Sequence, residues 1–276
     1  SGHGIANYPG SSPNYATPGI FESDRYFDVL VEYAKATPDD ILIQITVVNR
    51  GPAAKPLTVL PTLWFRNTWS WAENSPKPQI KLADRQADFS TLAASHPDFG
   101  PHYLYCQHIT ADGDNSILFT ENETNNQALV GADNTTPYVK DAFHRYVIAG
   151  DTAAVNPEAI GTKAAAHYHL TIEPGETQQL RLRLSDAAQL EQPFGDFAAA
   201  LHQRQQEADD FYQTVTPFAM PEAERALQRQ AFAGLMWSKQ FYAFDVDLWQ
   251  QGDPTMPPPP AHRQPGRNRQ IGRAHV

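Results

Sequence analysis

A two-residue alternation constrains this chain more than any other feature. In Ile41-Leu42-Ile43-Gln44-Ile45-Thr46-Val47-Val48, the residues Ile41, Ile43, Ile45 and Val47 share one side of an extended chain, and β-branched residues dominate. The same period runs through residues 26–33, where Phe27, Val29, Val31 and Tyr33 alternate with Tyr26, Asp28, Leu30 and Glu32. Such segments form strands with one buried face, so the fold needs a second layer to cover that face. Turn residues separate the runs: Thr37-Pro38-Asp39-Asp40 before the first of these two and Asn49-Arg50-Gly51-Pro52 after it. Further strands are expected at 57–65, 103–108, 116–120 and 145–149. Residues 164–172 and 177–184 read as a hairpin about Glu173-Pro174-Gly175-Glu176, with Tyr168, Leu170 and Ile172 inward, Leu180, Leu182 and Leu184 inward, and Arg181 and Arg183 in water at a half-exposed sheet edge. Together these predict a mainly β, antiparallel β-sandwich.

At Pro193 the period lengthens to between three and four. Phe194, Phe197, Ala198, Leu201, Ala208, Phe211, Tyr212 and Val215 make an apolar stripe, which predicts a helix over 194–215 that ends before Pro217. A second helix is expected from Pro221, a residue suited to a first turn. Its region, 221–249, carries Phe232, Met236, Trp237, Phe241 and Phe244, too many large side chains for one stripe, so it should pack on protein from more than one side or form oligomer contacts. The domain reading is therefore an extended arm over 1–20, a β-sandwich over 21–192, linker helices over 193–250 and a Pro-rich linker and tail over 251–276.

Composition sets the functional limits. With 41% hydrophobic residues, 14 Phe, 11 Tyr and 5 Trp, the chain can build a large core. Its formal charge of −10 disfavours a nucleic acid partner, whose phosphates reward basic clusters. No stretch has the roughly 20 apolar residues that a membrane span requires, and no membrane partner is expected. Cys106 is the single cysteine and cannot close an internal disulfide; a cytoplasmic location is the expectation.

The segment Leu60-Pro61-Thr62-Leu63-Trp64-Phe65-Arg66-Asn67-Thr68-Trp69-Ser70-Trp71 holds most of the candidate chemistry. Sugars stack their CH faces on indoles and give their hydroxyls to amides and guanidinium groups, so Trp64, Arg66, Asn67, Trp69 and Trp71 are substrate-binding candidates. Trp69 and Trp71 would share a face if the strand continued. Core packing competes with this for Trp64 and Phe65, which alternate across the strand. Asp141 and His144, three residues apart, form a second candidate pair in which the carboxylate would orient the imidazole; a loop hydrogen bond is the plainer reading. His167 and His169 alternate on a strand and raise a cupin-like metal site as an alternative, but no Glu at matching spacing completes it, so no metal or cofactor is assigned. Glu121, Glu123 and Asp141 are carboxylates without a spacing that singles out an acid and base pair.

Several blocks carry a resemblance. Asp24-Arg25-Tyr26-Phe27-Asp28-Val29, residues 60–71, Leu118-Phe119-Thr120-Glu121-Asn122-Glu123-Thr124-Asn125, Pro137-Tyr138-Val139-Lys140-Asp141-Ala142-Phe143-His144, and Asn156-Pro157 followed by Gly161-Thr162-Lys163-Ala164-Ala165-Ala166-His167-Tyr168 resemble, in this order, the N-terminal region of bacterial proteins related to mannosyl-oligosaccharide glucosidase, in glycoside hydrolase family 63. The resemblance covers about residues 21–269. It implies a β-sandwich leading through linker helices into an (α/α)6 barrel. It also implies hydrolysis of α-glucosidic bonds of oligosaccharides with inversion, by an acid and a base carried on that barrel and set roughly 6.5–9.5 Å apart to admit a water. No catalytic residue maps onto this chain, which the resemblance makes the non-catalytic front portion, partnered by the barrel and bordering its active site. The final Gln270-Ile271-Gly272-Arg273-Ala274-His275-Val276 departs from the pattern and is expected to be an artificial tail, with Ser1-Gly2 a tag remnant. A stand-alone carbohydrate-binding module is the alternative from another class.

Overall fold

A computed structural model describes residues 25–71, 75–109, 115–216, 218–239, 244–252 and 257–263; the expected arm over 1–20 and the end of the tail lie outside them. The strands are β1 Phe27–Thr37, β2 Asp40–Asn49, β3 Lys55–Val59, β4 Thr62–Trp64, β5 Gln79–Arg85, β6 Phe89–His96, β7 Gly100–Gln107, β8 Ile117–Thr120, β9 Ile160–Gly161, β10 Lys163–Ala166, β11 Tyr168–Ile172 and β12 Thr177–Ser185. The helices are α1 Asn126–Val130, α2 Ala142–Ala149, α3 Phe197–Val215, α4 Glu222–Ser238 and α5 Val246–Gln251.

Seven strands form one antiparallel sheet in the order β1-β2-β12-β7-β6-β5-β9. Opposite it lie a three-stranded sheet, β4-β10-β8, and a pair, β11-β3. Because β3 leads into β4 and β10 into β11 with only one or two residues between them, the small sheets make a single bent second layer. Ile45, Val47, Leu92, Leu104, Leu180 and Leu182 of the large sheet meet Phe119, Ala164, Ala166, Tyr168, Leu170 and Ile172 of the second layer in one buried cluster. The protein is thus mainly antiparallel β, as the alternation predicts, with its core between two layers.

Helix α3 covers part of the outer face of the large sheet, where Phe197 and Leu201 bury against Ala34 and Leu42. Arg183 fastens that joint. Its guanidinium donates to both carboxylate oxygens of Asp40 (2.6–3.1 Å), to Asp196 (2.7 Å) and to the Pro193 carbonyl (2.8 Å). The hydrogen bonds it donates to Asp40 outweigh the opposing effect of burial and hold Arg183 above its ordinary value.

The structure corrects several expectations. The segments 164–172 and 177–184 are not a hairpin: β11 pairs with β3, and β12 pairs with β2 and β7. The turn, with Gly175 at φ +73°, carries the chain from one layer to the other. Strand β12 is therefore central, and Arg183 is buried instead of facing water, because the helix joint needs a cation there. Residues 145–149 are the second half of α2, and β5 and β6 were not foreseen. The 221–249 region is two helices, α4 and α5, with Pro221 at the N-cap of α4. Along β1 the face expected to be buried is open: Val29, Val31 and Tyr33 are 53, 42 and 68% exposed. The second layer stops short of them, leaving an apolar trough of about 290 Å³ between β1, β2, β12 and the β3–β4 bend.

Candidate functional site

The tryptophan-rich segment lies at the rim of the second layer. Strand β4 ends at Trp64, and Thr68–Ser70 forms a 3-10 turn instead of continuing the strand. Ser70 stabilises that turn by donating its hydroxyl to the Asn67 carbonyl at 2.7 Å. Trp69 and Trp71 consequently do not share a strand face. Trp69 turns inward and donates its indole N–H to Glu123 at 3.1 Å, while Trp71 stays 56% exposed with Arg66 stacked on its ring at 4.7 Å.

Two amides lock the segment in place. Asn67 Nδ2 donates to the Asn122 carbonyl (2.7 Å), and Asn122 Nδ2 donates to Asn67 Oδ1 and to the Phe65 carbonyl (both 2.9 Å). Beneath them Thr162 is buried; its hydroxyl donates to Glu121 (2.7 Å) and accepts from the Asn122 N–H (2.8 Å). Lys77 closes the base of this network by bonding Glu121 at 3.0 Å and Glu123 at 2.7 Å. Burial works against the Lys77 charge, but the hydrogen bonds and charges of Glu123 and Glu121 outweigh it and raise its pKa. Gly161 permits the close approach: a Cβ there would sit 2.2 Å from the Thr120 carbonyl oxygen.

Above the network is a depression of about 510 Å³ lined by Thr62, Trp64, Arg66, Asn67, Asn122, Lys140 and Lys163. The antiparallel register places Lys163 directly across from Trp64, so the indole and the ammonium share the outer face of the layer. Trp64 is 55% exposed, while its neighbour Phe65 points inward to the core. Lys140 donates to Thr124 at 2.9 Å, and Lys163 donates to the Lys140 carbonyl at 2.6 Å and lies over the Phe143 ring at 4.8 Å. Burial lowers the Lys163 pKa, and the nearby Lys140 charge adds to that.

Of the residues expected to bind substrate, Trp64, Arg66 and Asn67 line the depression; Trp71 supports Arg66, and Trp69 belongs to the network below. Asp141 and His144 lie on the adjoining loop and on α2. Asp141 accepts from the Asn125 amide (3.1 and 3.4 Å), and the contact joining it to His144 is backbone N–H to carbonyl at 3.1 Å, so the structure gives the carboxylate a loop-tying place. Asn122, Lys140 and Lys163 were not singled out, although all three fall in sequence blocks that carry the resemblance. Glu121 and Glu123 are occupied by Lys77, Thr162 and Trp69 and do not line the depression. The site as built offers stacking and hydrogen bonding. His167 bonds Ser116 and packs against Tyr146, and His169 faces Thr58. Among the described residues no group of three His, Cys, Asp or Glu could hold a metal ion, and no helix is long and apolar enough to cross a membrane.

The chain is similar to the uncharacterized protein YMR196W of Saccharomyces cerevisiae, 36% identical over 276 aligned positions that cover 88% of this chain and 25% of the yeast protein. It therefore spans about a quarter of the length of that relative. No family model matches the chain.

Proposed function

We propose that the chain is the β-sandwich portion of a larger α-glucoside hydrolase, related to glycoside hydrolase family 63, in which it supports and borders the active site of an (α/α)6 catalytic barrel. The observation that carries the reading is the depression at Trp64, where an exposed indole stands beside amide and cationic groups fixed by a network beneath them. A sugar ring needs that combination of an apolar wall and rigid polar groups. Two further features support it. Helix α4 buries none of its residues, and Leu227, Leu235, Met236 and Trp237 stand exposed along it, as expected of a helix that another domain covers. The yeast relative is also long enough to hold a large further domain. Within this reading the residues of the chain bind and shape, and the bond-breaking carboxylates belong to the barrel.

Glucose release from α-linked gluco-oligosaccharides tests the proposal, measured for the chain alone and for a longer polypeptide in which the barrel follows it. Release by the longer protein only, with inverted anomeric configuration by NMR, is expected; a longer protein that hydrolyses no α-glucoside removes the reading. A stand-alone carbohydrate-binding module is the second reading, since stacking and hydrogen bonding at the depression need no carboxylate. Calorimetric titration of the chain alone with neutral gluco-oligosaccharides separates the two, since an independent module should bind without a barrel.

A further inference from the structure

The depression at Trp64 has an unexpected charge. The chain carries a net −10, yet Arg66, Lys140 and Lys163 converge on this one concavity, and no Asp or Glu lines it. Several other cations of the fold have carboxylate partners: Lys77 with Glu121 and Glu123, Arg50 with Asp28, Arg145 with Asp151, Arg183 with Asp40 and Asp196, Arg229 with Asp209; Lys35 and Arg85 bond backbone carbonyls instead. Among the described residues, none of Arg66, Lys140 and Lys163 forms an ion pair. Arg66 is held by the Trp71 ring, which leaves the edge of its planar fork available to a carboxylate or phosphate. Lys163 spends one donor on the Lys140 carbonyl and rests on the Phe143 ring, and Lys140 reaches Thr124, so each ammonium retains donors. Asp141, the carboxylate nearest in sequence to Lys140, is turned to Asn125. Grouping like charges on a partly desolvated surface is unfavourable unless an anion answers them; the Lys163 pKa is lowered first by burial and then by the Lys140 charge, and Asp141 offsets part of this. Trp64, opposite Lys163 in the strand register, adds a flat apolar wall that a bare inorganic anion would not use.

We infer that this depression binds an anionic sugar, a carbohydrate ring stacked on Trp64 with a carboxylate or phosphate group held by Arg66, Lys140 and Lys163. The inference rests on the reading of the chain as part of a carbohydrate-active protein and narrows the ligand from neutral to acidic. Intrinsic tryptophan fluorescence and calorimetry of the chain test it, with a glucosyl-glucuronic acid disaccharide, glucose 1-phosphate, maltose and inorganic phosphate as probes. At least one acidic sugar should bind ten times or more tighter than maltose and inorganic phosphate, and which one binds identifies the anion. The preference should weaken as salt rises from about 50 to 500 mM, because counterions compete. Lys140→Gln with Lys163→Gln should cost the acidic sugar about tenfold in affinity, and Trp64→Ala should cost it a similar factor, with an unchanged circular dichroism spectrum showing that the fold survives. Equal binding of maltose and the acidic sugars would overturn the inference and leave the hydrolase reading intact. Phosphate binding as tightly as the sugars would remove the stacking half of it, and failure of every probe to bind would overturn it entirely. The hydrolase reading is decided separately, by glucose release from the longer polypeptide.

Discussion

Arg183 and Lys77 show how differently two cations can serve one fold. Arg183 and Asp40 are both about nine-tenths buried, and together they tie the central strand β12 and the edge-adjacent β2 to the start of α3. Removing one partner of such a pair leaves the other charged in a site built to neutralise it, so Asp40→Ala should lower unfolding stability by about 3–5 kcal/mol in urea titration. A loss within the scatter of ordinary surface substitutions would contradict this role. Lys77 is more open and holds Glu121 and Glu123 together, so Lys77→Met should cost less, about 1–2 kcal/mol. The pH dependence follows from the sign of the shift. Because the folded pKa of Lys77 is raised, its contribution is complete below the unfolded value of about 10.4 and is lost as pH rises through the folded one. The gap between wild type and Lys77→Met should therefore be present at neutral pH and close as pH rises past about 10.4, as parallel urea melts from neutral to strongly alkaline pH would show.

Among the elements, α3 and α4 have similar lengths and comparable apolar content, yet only one is anchored. Phe197 and Leu201 of α3 bury against the large sheet, whereas α4 meets α3 through polar contacts such as Arg229 with Asp209 and Gln228 with Thr216. Leu201→Ala should cost about 2–3 kcal/mol, toward the low end for a buried leucine because the joint lies at the margin of the fold and can partly collapse. Leu235→Ala, on an exposed face, should change stability by less than about 0.5 kcal/mol. Equal losses would show that α4 packs on the chain's own core. The periodicity made both helices legible, since an amphipathic stripe is a local property of the chain. Which stripe would find a partner was not legible, because that depends on where the outer face of the sheet ends. The same reason explains β1. Its alternation is genuine, but the inner face is covered only as far as the second layer reaches, and the reach of that layer is set by β3 and β4, which lie beyond β2 in the chain.

Taken whole, the molecule is a two-layer β body with a helical extension. Amides of β12, β7 and β6, central in the large sheet, should exchange with deuterium most slowly, and those of α4 and α5 fastest, as hydrogen exchange by mass spectrometry would resolve. Protection of α4 equal to that of β12 would mean that the helix is covered after all. The candidate site belongs to this scale as well. Trp64, Arg66 and Asn67 were visible from residue type and crowding in twelve consecutive positions, because indoles, guanidinium and amide groups advertise their chemistry. Asn122, Lys140 and Lys163 stand 55 or more residues away from Asn67 and are ordinary residues in isolation; only β8, β10 and the loop before α2 bring them to the same rim. Glu121 and Glu123, carboxylates to which spacing gave no role, prove to be bound to Lys77, which no spacing rule connects to them.

Local forces decide what is written along the chain. The alternation of β-branched and polar residues, the turns at Pro and Gly, and the change of period at Pro193 depend on neighbours a few residues apart, so the sequence alone determined a mainly antiparallel β body followed by helices. Strand partners, the burial of Arg183, the turning inward of Trp69 and the gathering of three cations beside Trp64 were decided only by tertiary structure. Each arises between segments far apart in the chain, where the energy of a contact depends on the whole packing and not on either residue.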